Sequence, residues 1–284
     1  FKRIRRTGVD KETIYTCYVT DASRHLLGVT TVKELLLHDQ DDRIEAFMET
    51  NVIYVNTLSD QEEAAAQLSK YDFLALPVVD LEERLVGIIT VDDAMDVIQE
   101  ENTEDIQKMN AIVPTERTYL KTGVLATWKS RIPWLLLLMV SATFTGSIIT
   151  SFEDKLASML TSFIPMLMDT GGNSGGQASV TVIRALSLNE IDMRDIFKVI
   201  WKELRVGLLC GSSLAAINFV KVLLVDRLML GMTGVTLKVD LVISLTLIVE
   251  VTLAKMIGCS LPIIAKRLKL DPAVMSSPFV TTIV

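Results

Sequence analysis

The alternation of charged and uncharged stretches divides this chain near residue 121. Between Arg131 and Glu153 lie 21 residues without a charge. At about 1.5 Å per residue in a helix they reach ~30 Å, the thickness of a bilayer core. Between Lys155 and Arg184 there are 28 residues with one charge, Asp169. Residues 204–225 and 241–265 supply two weaker runs, and a last uncharged run covers 272–284. This pattern predicts four membrane spans and the start of a fifth. Ahead of residue 122 the pattern is one of short apolar segments bounded by turn residues, which predicts strands.

Two of those segments repeat. Residues 16–32 lie over 75–91 at a constant offset of 59, pairing Asp21 with Asp80, Leu26 with Leu85, Gly28 with Gly87 and Thr31 with Thr90. Each copy reads as a strand, a polar turn, a second strand containing glycine, and a threonine that caps a following helix. The second copy has its first half at 44–71; the first lacks most of that, so Phe1 is expected to lie inside a module.

Charge sharpens the division. Residues 1–121 carry 13 Lys/Arg and 24 Asp/Glu, a net of −11, and residues 122–284 carry 15 and 11, a net of +4. An acidic front on an apolar, slightly basic back excludes a simple globular enzyme and argues against a nucleic-acid binder. Enzyme chemistry is the weakest class: there is no nucleophile–base pair, and only His25 and His38 are present. Cys17, Cys210 and Cys259 are too dispersed for a disulfide framework or a structural zinc site. The chain opens Phe-Lys-Arg-Ile-Arg-Arg without a signal core and closes inside an apolar run, so both ends are expected to be cut.

Basic residues set the orientation. Lys121, Lys129 and Arg131 precede the first span, Arg194, Lys198, Lys202 and Arg205 lie between the second and third, and Lys266, Arg267 and Lys269 between the fourth and fifth. The alternate loops hold only Lys155, Arg227 and Lys238. The acidic front is thereby expected on the cytoplasmic face.

The second span contains Pro165-Met-Leu-Met-Asp169-Thr-Gly171-Gly172-Asn173-Ser-Gly175-Gly-Gln177. Proline and glycine weaken a helix, and polar groups at bilayer depth need partners, so an interrupted helix lining an ion path is expected. The competing reading is close helix packing through small residues, which fits the glycines better than it fits Asp169, Asn173 and Gln177 at i, i+4, i+8. Glu250 and Lys255 are further intramembrane charges, for which a structural role is as well supported as a functional one. In the soluble half, seven carboxylates fall between Asp92 and Asp105 without one Lys or Arg. Like charges at i, i+4 destabilise a helix, so a hard divalent cation is the expected stabiliser.

The Gly-h-h-Thr-h-Asp-Asp ending of the second repeat, preceded by Leu-Pro-Val-Val-Asp80, resembles a CBS domain, and CBS domains come in pairs. That likeness implies an adenine-nucleotide site at Phe73, Thr90 and Asp92. Lys33 replaces the equivalent acid in the first copy. The order of CBS pair, acidic helix, basic connector and Gly-Gly-Asn span resembles the MgtE-type magnesium transporters. The resemblance implies a cytosolic α/β CBS pair with an incomplete first module, a connecting helix, and an all-α polytopic membrane domain. Its divisions are 1–41 and 42–103 for the two modules, 104–130 for the connecting plug helix and 131–284 for the membrane domain. It further implies a homodimer in the cell membrane with Mg2+ as cargo and regulator and ATP as a ligand of the CBS pair. The pore residues it indicates are Pro165, Asp169, Gly171, Gly172, Asn173 and Gly175. Metal ligands by the same likeness are Asp60, Glu62, Asp72, Asp93, Asp96, Glu101, Glu104, Asp105 and Asp271. A pore aspartate is expected just beyond Val284, and an acidic helical domain ahead of the CBS pair. Alternatives are a CBS-regulated transporter of another divalent cation and a nucleotide-sensing membrane protein without transport.

Overall fold

The computed structural model describes residues 4, 6, 8, 11–39, 41–115, 119–152, 158–222, 224–225 and 236–284. Lys155 and Arg227, counted in the orientation argument, lie outside the described residues. The chain forms two compact units, Phe1–Thr103 and Glu104–Val284.

In the first unit, β1 (Thr16–Thr20) pairs antiparallel with β2 (Leu26–Thr31), and α1 (Val32–Leu37) follows. The second repeat forms β3 (Val55–Asn56), α2 (Gln61–Lys70), β4 (Ala75–Val79) and β5 (Leu85–Thr90). Strand β4 lies between β3, parallel, and β5, antiparallel. The two hairpins obey the offset of 59 in detail. Val19 pairs with Gly28 and Val78 with Gly87, and each hairpin carries its register shift one residue later. Asp21 Oδ1 accepts from the Ser23 and His25 amides, both at 2.8 Å, as Asp80 Oδ1 accepts from those of Glu82 and Arg84 at 2.9 Å. Such Asx turns close the backbone locally. The turns then bind each other reciprocally: Leu26 N donates to Glu83 O at 3.2 Å and Leu85 N to Arg24 O at 2.8 Å. Buried Val55, Ala64, Ala65, Leu68, Leu76 and Ala94 form the core of this unit.

Helix α3 (Val91–Met109) begins in the first unit and ends in the second. Where one connecting helix is expected over 104–130, the backbone divides it. Helix α3 stops at Met109 and α4 (Val124–Phe152) starts 15 residues later. The stop is a Schellman turn, with Ile112 N donating to Gln107 O and Ala111 N to Lys108 O around Ala111 at φ 53°. The remaining helices are α5 (Ile164–Ser187), α6 (Ile196–Lys221), α7 (Leu237–Arg267) and the short α8 (Ser277–Ile283). Among the described residues, helical stretches at Val124–Phe152, Met193–Lys221 and Leu237–Arg267 are long and apolar enough to cross a membrane. Helix α5 has the length, 24 residues, but its polar and glycine-rich middle sets it apart.

The sequence reading expects an interrupted second span; α5 is one unbroken helix. Pro165 lies in its first turn, where no backbone N–H partner is needed. Its glycines are held by neighbours. A Cβ on Gly175 would stand 2.5 Å from Val280 of α8 and 2.9 Å from the Ala254 carbonyl of α7, and one on Gly258 would collide with the Gly175 carbonyl. Close backbone packing thereby offsets glycine's weak helix propensity. Helices α6 and α7 cross as closely, with Gly207 on Thr252 and Gly211 on Ile248.

Candidate functional site

Helix geometry gives α5 three different faces. Gly171, Gly175, Ala178 and Val182 turn toward α7, with Ala178 and Val182 packing on Cys259 and Ile263. Gly172 and Gly176 turn to Thr281 and Ser277 of α8. Asp169, Asn173 and Gln177, one turn apart, occupy an exposed stripe. That stripe borders an open cleft of about 520 Å³, also lined by Cys210 and Ser213 of α6 and Lys255 of α7. Of the residues expected to line a pore, Asp169 and Asn173 border this cleft, and Pro165 is exposed at the helix start. Gly171, Gly172 and Gly175 do not share that surface: all three are buried in helix contacts. The two intramembrane charges separate. Lys255, only 5% exposed, lines the cleft, whereas Glu250 packs on Gly171. In the sequence a structural and a functional role for Lys255 are equally supported, and Cys210 and Ser213 carry no local signal that would bring them to this cleft.

At the α7–α8 link the geometry is tighter. Asp271 caps the turn Pro272–Val274, its Oδ1 accepting from Ala273 N at 2.8 Å. Its Oδ2 lies 2.6 Å from Lys108 Nζ, and the same ammonium pairs with Glu104 one turn earlier on α3. Burial alone would lower the Lys108 pKa, but the hydrogen bonds and charges of Asp271 and Glu104 outweigh it and hold the group well above its ordinary value. Beside this pair, the buried Ser276 hydroxyl donates to Met109 O, and Ser179 Oγ of α5 donates to Met275 O at 2.7 Å. Trp134 of α4 meets Phe279 of α8 edge-on, ring centroids 5.5 Å apart. The start of α8 is thus tied to α3, α4 and α5.

Several of the acidic residues have structural partners. Asp60 caps α2, accepting from Glu62 N at 2.9 Å. Asp72 ends that helix at φ 54°, a left-handed position that aspartate tolerates. Glu101 accepts from Gln61 Nε2 at 2.8 Å. Asp93 accepts from the Thr90 hydroxyl at 2.7 Å. Thr31 caps α1 as expected, by accepting from Glu34 N, but Thr90 donates its hydroxyl instead. Asp92 and Asp96 are exposed, whereas Glu104 and Asp105 are half-buried. Phe73 stacks on Tyr71 at 5.5 Å. Among the described residues, no three His, Cys, Asp or Glu side chains converge as a metal cage.

Comparison with known proteins follows the same division. Residues 164–284 match the MgtE family, described as a divalent cation transporter, and residues 44–100 match the CBS domain. The magnesium transporter MgtE of Thermus thermophilus is 40% identical over 283 residues, covering 99% of this chain and 61% of that protein. MgtE of Bacillus subtilis is 36% identical over 275 residues, covering 96% of this chain and 58% of that protein. The chain thus spans about three-fifths of the length of the curated relatives it matches. A solved structure of the cytosolic domain of the Mg2+ channel MgtE in complex with ATP is 48% identical, covering 34% of this chain and 39% of that one, with a TM-score of 0.33.

Proposed function

We propose that this chain, which matches the MgtE divalent cation transporter family over residues 164–284 and the CBS domain over 44–100, conducts Mg2+ across the cell membrane. Two chains form the path, lined by α5 and α8 of each. Cytosolic Mg2+ closes it through the acidic residues of the second CBS module and α3. The observation that carries this reading is the exposed Asp169–Asn173–Gln177 stripe on a helix whose other faces are locked by glycine contacts.

Mg2+ sheds water reluctantly, so a path of amide and carboxylate oxygens passes it largely hydrated. Asn173 and Gln177 offer carbonyl oxygens to that hydration shell, and Asp169 supplies a negative charge. The inner face is the one toward which Lys129, Arg131, Arg194, Lys202, Lys266 and Arg267 lie by the positive-inside rule, which puts the CBS modules in the cytoplasm. A regulatory Mg2+ that keeps most of its waters needs only one or two carboxylates at a time. Asp93, Asp96 and Glu101 suit that role. A second proposal, ATP at the CBS pair, draws support from the exposed Asp92 carboxylate at the start of α3, two residues after Thr90.

Asn173→Leu keeps the helix and removes the amide. Proteoliposome uptake, read with an internal Mg2+ indicator, should fall at least tenfold with protein yield unchanged. Uptake equal to the unmodified protein would overturn the path. Running Co2+ in the same assay distinguishes Mg2+ from another divalent cargo.

A further inference from the structure

Helix α3 ends on a cluster that the cation path does not use. Lys108 Nζ lies between two carboxylates, Glu104 on its own helix and Asp271 on the α7–α8 link, the latter at 2.6 Å. All three side chains are about a quarter to two-fifths exposed, so solvent screens them incompletely. Asp271 is not free to swing away, because its second oxygen caps the turn that follows it. The neighbouring residue adds a contact of another kind: the Met109 carbonyl, one of the last four of the helix and without an intrahelical partner, accepts from buried Ser276. An ammonium in the last turn of a helix also complements its dipole.

We infer that Lys108 is a tethered counter-ion, a built-in cation that clasps the end of α3 to the α7–α8 link without a metal ion. Glu104 and Asp271, which the sequence reading counts among metal ligands, share one ammonium supplied by the chain itself. Without the ammonium the two carboxylates would face each other across the contact and repel. The clasp rests on the gating proposal only for its place in closing the path. A divalent cation then acts chiefly through the other carboxylates of α3, and Lys108 keeps the end of that helix in register with the start of α8.

Spin labels at the exposed positions Asn110→Cys and Leu270→Cys, next to the clasp, report it in the whole protein, with Cys17, Cys210 and Cys259 replaced by alanine. In EDTA the parent should give a narrow short-distance peak, unchanged by added Mg2+. Lys108→Gln should lose most of that peak in EDTA and regain it on Mg2+ addition, when an external cation takes the ammonium's place. The exchanged pair Lys108→Asp with Asp271→Lys should restore it in EDTA. A narrow peak in Lys108→Gln without Mg2+, or no recovery in the exchanged pair, overturns the clasp. Flux is read separately. If Lys108→Gln loosens the contact but internal Mg2+ fails to close the path even in the parent, the clasp stands and the gating proposal falls.

Discussion

Gly258 and Gly146 illustrate how differently one residue type behaves in this membrane domain. A Cβ on Gly258 would enter the Gly175 carbonyl, backbone against backbone, where neither side can yield. Around Gly146, six residues before the end of α4, there is open space. Gly258→Ala should therefore cost more than about 2 kcal/mol, in the upper range of overpacking changes. Gly146→Ala should be neutral or gain up to ~1 kcal/mol from helix propensity. Thermal unfolding of the detergent-solubilised protein checks both, and equal midpoints would contradict the packing argument. The same contrast explains why composition alone misdirects the reading of α5. Four glycines and a proline in one span look like an interruption, because their partners Ala254, Gly258, Ser277 and Val280 are far away in sequence. Asp169, Asn173 and Gln177 were legible because their spacing of four places them on one face whatever the neighbours are.

Four helices share an ending that no local marker announces. Helices α2, α3, α5 and α7 are followed by Asp72, Ala111, Asn189 and Lys269, at φ of 54°, 53°, 54° and 58°. Each is closed by a backward hydrogen bond spanning five residues: Phe73 N to Leu68 O, Ile112 N to Gln107 O, Glu190 N to Ala185 O, and Leu270 N to Ala265 O. Glycine is the usual sign of this turn, and none of the four has it, so the break after Met109 is invisible where a continuous connector is expected. Aspartate and asparagine tolerate the left-handed region; alanine and lysine do so at a penalty of about 1 kcal/mol. Ala111→Gly should raise the unfolding midpoint slightly, because relief of strain is partly offset by a freer unfolded chain. Ala111→Val should lower it by a stability loss of more than ~1 kcal/mol. If Val is tolerated as well as Gly, the turn does not limit stability. Hairpins, by contrast, were legible from the repeat, since strand, Asx turn and following strand are all local and recur at one offset.

Across the whole molecule, charge and apolarity separate into two units, and the proposed regulation depends on that separation. Asp93→Asn, Asp96→Asn and Glu101→Gln together should leave a path that conducts but no longer closes when Mg2+ is raised on the cytosolic side. The check is flux with millimolar Mg2+ inside right-side-out vesicles, and closure at unchanged Mg2+ would remove these residues from the gate. Lys108 shows what the sequence conceals at this scale. Its pairing with Glu104 is visible as an i, i+4 step at the end of the acidic run, but Asp271 stands 163 positions further along, and only the fold brings it to 2.6 Å.

The glycine seam between α5 and α7 also limits how this unit can move. Two helices joined backbone to backbone cannot bend or slide past one another without opening a void or a clash. They form one beam, with the Asp169–Asn173–Gln177 stripe fixed along its side. If the proposed path changes its bore, the change comes from what is hung on the beam: α8 is attached there by its contacts with Gly172, Gly175 and Gly176, and the Ser179 hydroxyl holds Met275 just ahead of it. On that reading the stripe is a stator, and the short helix, pulled at its first residue, is the part left to move.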